Sequence, residues 1–139
     1  MKRFRFFCAG GFFFFSIVGC ARLADTPKVL WGSSTRALEE AREEALRKTY
    51  QTNFGECFEA VLTIARESGH TIFIQDRRKR HMILMGVKGN VGTTEVGIFF
   101  EESPGPQTTV DITSLSTTAK EKVAKVIFEE LDKKFKSLN

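Results

Sequence analysis

The stretch TEVGIFFEESPGPQTTVDITSL, residues 94–115, decides the fold. In its first half Val96, Ile98 and Phe100 alternate with Glu95, Gly97 and Phe99. In its second half Val110 and Ile112 alternate with Thr109, Asp111 and Thr113. Side chains two apart share one face of a strand, so each half reads as a strand with one apolar side. Ser103-Pro104-Gly105-Pro106 between them is a turn. Strands joined this tightly pair antiparallel, and the Thr109/Asp111/Thr113 side predicts a sheet wetted on one face.

Upstream, Thr71–Gln75 and Met82–Val87 predict two more strands joined at a hairpin tip, Asp76-Arg77-Arg78-Lys79-Arg80. Ile72 and Ile74 are expected on one face of the first strand. In the second, Ile83, Met85 and Val87 are expected opposite Met82 and Leu84. Lys88-Gly89-Asn90-Val91-Gly92 is the loop that follows. Before these strands, Phe58, Val61, Leu62 and Ala65 recur at helical spacing and predict a core helix over about 55–68. Asn53 is its expected N-cap, Glu56 completes a capping box, and Gly69 is placed to end it. Tyr50–Asn53 reads as a short strand, starting as early as Lys48. Earlier still, TRALEEAREEALRK is rich in helix formers and predicts a helix from Ser33 or Ser34 to about Lys48. Its docking stripe is narrow (Leu38, Ala41, Ala45 and Thr49). Glu39, Glu43 and Arg47 are spaced for ion pairs on its exposed side.

At the other end, Thr118 and Glu121 make a capping box for a helix running to about Leu138. Val123, Ile127, Leu131, Phe135 and Leu138 form its stripe, widened by Ala124 and Phe128. The expected fold is therefore α+β. It is a two-layer sandwich of order β-α-β-β-β-β-α, with an antiparallel sheet, helices on one face and an extra N-terminal helix in front. No βαβ alternation is present, which excludes a parallel nucleotide-binding sheet.

The first residues carry a different signal. Lys2, Arg3 and Arg5 precede an apolar run, Phe6–Val18, ended by Gly19, Cys20, Arg22 and Asp25. A basic tip, a short apolar core and a small residue at the cut describe a secretory signal. A membrane-spanning helix needs about 20 apolar residues, and this run is shorter. Ile17-Val18-Gly19-Cys20 resembles the lipobox of bacterial lipoproteins. The reading is a signal peptide over 1–19, cleaved between Gly19 and Cys20, a lipidated tether over 20–33 and a single α+β domain over 34–139. Cys20 is the expected lipid attachment site, and the membrane is the expected partner through it. Ala21 after Cys20, rather than Asp, implies outer-membrane sorting where the usual sorting system operates. Trp31 can pack back onto the domain or sit at the bilayer interface.

Removing the signal changes the charge. Three of the 21 basic residues fall within 1–19, while all 17 acidic residues lie beyond it. The remaining chain is nearly neutral, which takes away the case for a nucleic-acid partner. Of the 3 cysteines, Cys8 leaves with the signal and Cys20 takes the lipid. Cys57 is left alone, so it reads as a buried helix residue and not as half of a disulfide. His70 and His81 are expected to be solvated and show no zinc spacing, so no metal and no cofactor are expected. Glu101 and Glu102 adjoin on a strand and point to opposite faces, so they do not pair for catalysis. The loop 88–94 lacks the ending of a P-loop. Arg77, Arg78, Lys79 and Arg80 are the candidate contact for an anionic partner, weighed against a plain solvated turn.

Four blocks, WGSSTRALEEAR, FGECFEAVLTIA, GNVGTTEVGIFF and SLSTTAKEKVAKVIF, together resemble a family of short bacterial envelope lipoproteins of unknown function. That resemblance implies no catalytic residues. The element order also resembles the helix-grip domains of the small lipoprotein of the outer-membrane barrel-assembly complex, a likeness of fold alone. The expectation that follows is a non-enzymatic, lipid-anchored envelope protein that binds a protein partner in the periplasm through the sheet's exposed face or an edge strand. The alternative is a carrier or sensor of a small apolar or lipid ligand, with Phe99, Met82 and Leu84 lining its cavity.

Overall fold

The computed structural model describes residues 34–138. Cys20, Gly19 and the rest of the expected signal and tether lie outside the described residues. The fold is the expected α+β arrangement. A helix over 34–40 (α1) passes into a 3-10 turn, Ala41–Glu44. There follow β1 (Leu46–Tyr50), α2 (Phe54–Glu67), β2 (Thr71–Asp76), β3 (His81–Met85), β4 (Val96–Ser103), β5 (Gln107–Thr113) and α3 (Thr117–Lys134). The sheet order is β1-β5-β4-β3-β2, antiparallel at every pair. α2 thus carries the chain from one edge of the sheet to the other, and the meander β2–β5 brings it back beside β1.

The register explains the core. Ile98 lies opposite Ile112 and Met82, Phe100 opposite Val110, and Leu84 opposite Val96. These residues make one face, onto which α2 packs Phe58, Val61, Leu62 and Ala65, and α3 packs Val123, Ala124, Ile127 and Leu131. Fully burying an aliphatic or aromatic side chain is worth about 1.5–3 kcal/mol, so this layer dominates the stability. The caps of α2 fall where the sequence put them. The Asn53 side chain accepts from the Glu56 amide at 2.9 Å, and the Thr52 hydroxyl donates to the Glu56 carboxylate at 2.9 Å. Gly69 has φ 75°, and the amides of Gly69 and His70 donate to the carbonyls of Arg66 and Ala65. That left-handed closure is open to glycine and strained for other residues.

Several boundaries differ from the sequence reading, each for a tertiary reason. The first helix ends in the 3-10 turn at Glu44, and Leu46–Lys48 is strand. Ala45 is extended there, and Leu46, Arg47 and Lys48 pair with Ile112, Asp111 and Val110. Pairing with β5 outweighs the helix propensity of this segment. α3 is capped by Ser116, whose side chain accepts from the Ala119 amide, and it stops at Lys134. Beyond it Phe135 packs on the core, and the tail lies along β1. Ser137 bridges to Tyr50, and the Leu138 amide donates to the Thr49 carbonyl at 2.9 Å. In β2 a bulge falls between Ile72 and Ile74. Ile72 therefore packs on the main core and Ile74 on the opposite face. At the end of β3, Gly86 at φ 70° turns the chain, and Val87 enters the main core instead of following Ile83.

The largest difference concerns the second face of the sheet. It is not wetted across its middle. α1 lies against it, with Leu38 packed on Ile83 and Phe99 and with Ile74 at the border. Asp111 and Thr113 are fully buried there. Gly97 permits the close approach. A Cβ on it would stand 2.8 Å from Phe99 Cε2, 3.2 Å from Thr113 Cγ2 and 3.4 Å from Leu38 Cβ.

Leu131 sits at the centre of the helix layer with no exposed surface. Leu131→Ala should cost about 2–5 kcal/mol of stability, read as a lower urea midpoint. An unchanged midpoint would show that α3 does not pack as described.

Candidate functional site

Four parts of the domain have chemistry to offer: the thiol and imidazoles, the carboxylate on the second face, the basic hairpin tip and two surface clefts. Cys57 lies in the first turn of α2 and is completely buried. Burial pushes its thiol up to about 12, so the protonated form is favoured at ordinary pH. His81 starts β3 on the second face, 3% exposed, with its ring 5.8 Å from that of Phe99. The sheet separates it from Cys57. His70 follows α2, on the order of 15–20 Å along the helix from Cys57. His81 is not the solvated group the sequence suggests, and His70 is half-buried with its Nε2 shielded. Burial lowers the pKa of both; at His81 the carboxylates of Asp76 and Glu39 act in the opposite sense. Among the described residues no three His, Cys, Asp or Glu side chains converge as metal ligands.

The second face holds a charge cluster that the sequence reading missed. Asp111 sits in mid-strand with no exposed surface. Arg47, its cross-strand neighbour, donates to it from Nε at 2.6 Å and from Nη2 at 2.8 Å. Arg42, from the 3-10 turn, donates from Nη2 at 2.8 Å. Arg42 also pairs with Glu101 and lies over the Phe99 ring, 4.9 Å from its centroid. Burial pushes the Asp111 carboxyl up, and the two guanidiniums outweigh it, holding it below the usual carboxylate range. Arg47 therefore belongs to this cluster and not to the helix-face pairs with Glu39 and Glu43. A single acid in the middle of an otherwise apolar and threonine strand was the signal that could have found it. A buried charge requires partners. With both guanidiniums engaged, the cluster is a clamp holding the 3-10 turn and β1 onto β5.

The hairpin tip resolves into two halves. The Asp76 carboxylate accepts from the amides of Arg78 and Lys79 at 2.9 Å each, which closes the turn. Arg80 completes it at φ 56°. Arg77 pairs with Glu59 and lies over Phe58, and Arg80 pairs with Glu102 at 2.6 Å and lies over Phe54. Glu101 and Glu102 thus point to opposite faces, as expected. Of the four candidate contacts, Arg77 and Arg80 are held back against the domain. Arg78 and Lys79 are exposed at the apex, where their charge is offered to solvent.

Two clefts flank the sheet at opposite ends. One, about 330 Å³, lies beside the start of α1 between Leu38, Thr94, Glu95, Ser114 and Leu115. There the Ser34 hydroxyl donates to the Glu95 carboxylate at 2.5 Å. The other, about 820 Å³, is an open groove between the first turn of α2 and the last turn of α3, bordered by Glu59, Arg77, Lys134 and Phe135. Neither is lined by the residues proposed for a ligand cavity. Met82 and Leu84 are buried under the helices, whereas Phe99 is on the other face beneath α1. A cavity lined by all three does not exist in this arrangement.

Comparison with protein-family models finds no match for the chain, and comparison with curated proteins finds none.

The clamp makes stability depend on pH with a definite sign. A carboxylate held below its ordinary pKa stabilises the fold fully above about pH 4, and that contribution is lost as pH falls through its folded value. Asp111→Asn should lower stability near neutrality by about 1–3 kcal/mol. It should also flatten the loss below about pH 4 when urea midpoints are compared across pH. A variant with the wild-type midpoint and the wild-type acid limb would contradict the clamp.

Proposed function

We propose that this chain is a non-enzymatic lipoprotein of the cell envelope. It is anchored to the membrane by a lipid on Cys20, and it presents the α+β domain to a protein partner in the periplasm. The outer membrane is the membrane assigned, on the strength of Ala21. The observation that carries the reading is the order of the first twenty residues: basic tip, short apolar core, then Ile17-Val18-Gly19-Cys20. Within the domain Cys57 and His81 are buried, and Asp111 is held by Arg42 and Arg47, so these groups do structural work.

The surface assigned to the partner is narrower than the sequence suggested. α1 covers the middle of the second face, and the C-terminal tail lies along the end of β1. Of the two edge strands, β2 is the one that leads into the hairpin tip, and it is the edge assigned here. Strand addition along β2 would set an incoming segment beside Arg78 and Lys79, which favours an acidic partner segment.

Two measurements test this. Cys20→Ala should abolish acyl labelling and leave an uncleaved or soluble precursor; normal labelling would refute the anchor. A photo-crosslinker at position 79 should capture a reproducible envelope protein, with yield reduced by Arg78→Glu. Capture of no protein, or yield indifferent to that substitution, would refute the assigned surface.

A further inference from the structure

The sheet has two poles. At one, which we call the near pole, the described chain begins: Ser34 bonds to Glu95 just before β4. The antiparallel register puts the β3–β4 loop and the β5–α3 loop at this same end, since Gly97 opposes both Ile83 and Thr113. The hairpin tip 77–80 is at the far pole, where Arg80 pairs with Glu102.

The near pole also carries the most exposed large apolar side chains among the described residues. Leu115 is 78% exposed and Val91 73%. Leu46, at the start of β1 and so at the same pole, is 37% exposed. Leu115 and Val91 stand on loops that are tied to each other. Asn90 Nδ2 donates to the Ser116 hydroxyl at 3.2 Å, the Ser114 hydroxyl to the Glu95 carbonyl at 2.6 Å, and the Ser116 backbone amide to Ser114 Oγ at 3.1 Å. Lys122 reaches back from α3 to the Lys88 carbonyl at 3.1 Å and to Asn90 Oδ1 at 3.2 Å. Two aliphatic tips are thus presented on a braced base, with amines beside them. Both signs of charge stand at this end: Arg66 and Glu67 close α2, Glu95 precedes β4, and Lys120, Glu121 and Lys122 are in the first turns of α3. The apolar tips are the feature that needs a partner.

We infer that the near pole, through Leu115 and Val91, rests in the interfacial layer of a lipid bilayer. The domain then has a fixed orientation on the membrane, and the hairpin tip faces away from it. This rests on the anchor proposed at Cys20. Ser34 follows Cys20 by 14 residues, a reach of at most about 50 Å, and it stands at the near pole, so this pole is the one joined directly to the anchor. Aliphatic side chains at that depth leave water, and neighbouring amines sit at headgroup level. The orientation gives the basic tip a purpose: it is the part of the domain held farthest from the bilayer.

The test uses the lipidated protein purified from membranes and placed in vesicles of phosphatidylethanolamine and phosphatidylglycerol. A nitroxide is attached at Leu115→Cys, at Val91→Cys or, for reference, at Arg78→Cys. All three are exposed positions, so folding is preserved. Cys57 is fully buried and does not compete for the label. The ratio of collisions with oxygen to collisions with a water-soluble nickel chelate should be several-fold higher at 115 and 91 than at 78. Equal, water-like ratios at all three sites would overturn the inference. Shielding of 115 and 91 from both reagents would overturn it too, because protein would then cover them in place of lipid. Flotation of the same samples separates the two claims. Protein that floats with water-exposed 115 refutes the orientation and leaves the anchor. Protein that does not float refutes both.

Discussion

A carboxylate buried in the middle of a sheet is the constraint on which the arrangement of this domain depends. β5 has no wet face. Val110 and Ile112 lie under the helices, and Asp111 and Thr113 are covered from the other side. An uncompensated charge there would be costly, so the chain must bring partners to Asp111. It brings two. Arg47 comes as the cross-strand neighbour, which suits the register of β1 on β5. Arg42 comes from the turn after α1, and this requires the helix to end before β1 begins. Once the turn is held, α1 lies across the second face, and Leu38 closes on Ile83 and Phe99 over Gly97. The ionic clamp and the small apolar cluster beside it thus support one another. The larger core on the opposite face supplies the bulk of the burial.

Much of this was legible in the sequence, because most of it is periodic. The alternation in 96–100 and 110–113 gave two strands and their core faces. The spacing of Phe58, Val61, Leu62 and Ala65 gave α2, and Asn53 and Gly69 gave its ends. These features are local, and tertiary packing agrees with them. The misreadings share a cause of the opposite kind. Ala45-Leu46-Arg47 has good helix propensity and becomes strand because β5 offers it a ladder. Thr109, Asp111 and Thr113 look like a solvated face, and they are covered by an element distant in sequence. Ile72 and Ile74 satisfy period two, and a bulge at the sheet edge sends them to opposite sides. Period arguments assume an unbroken strand and a known set of covering layers; both were supplied by the rest of the chain.

The same division applies to the candidate site. The run Arg77-Arg78-Lys79-Arg80 was visible as charge, yet its meaning lay in what surrounds it. Two of its members are spent on Glu59, Glu102 and the rings of Phe54 and Phe58. The two at the apex are exposed to solvent. Cys57 and the histidines, which invite chemical readings in a sequence, are absorbed into packing. What the domain offers outward is geometry: a braced apolar pole where the chain enters, and a basic tip at the opposite end.

The proposed function lies in where the domain is held and which end it shows, and it depends on the anchor at Cys20. Intact-mass measurement of the mature protein from membranes tests this most directly. The expected result is a chain beginning at Cys20 and carrying the added mass of a diacylglycerol thioether, with that mass confined to the N-terminal peptide. A mature chain beginning at any other residue, or one beginning at Cys20 without added lipid, would contradict it.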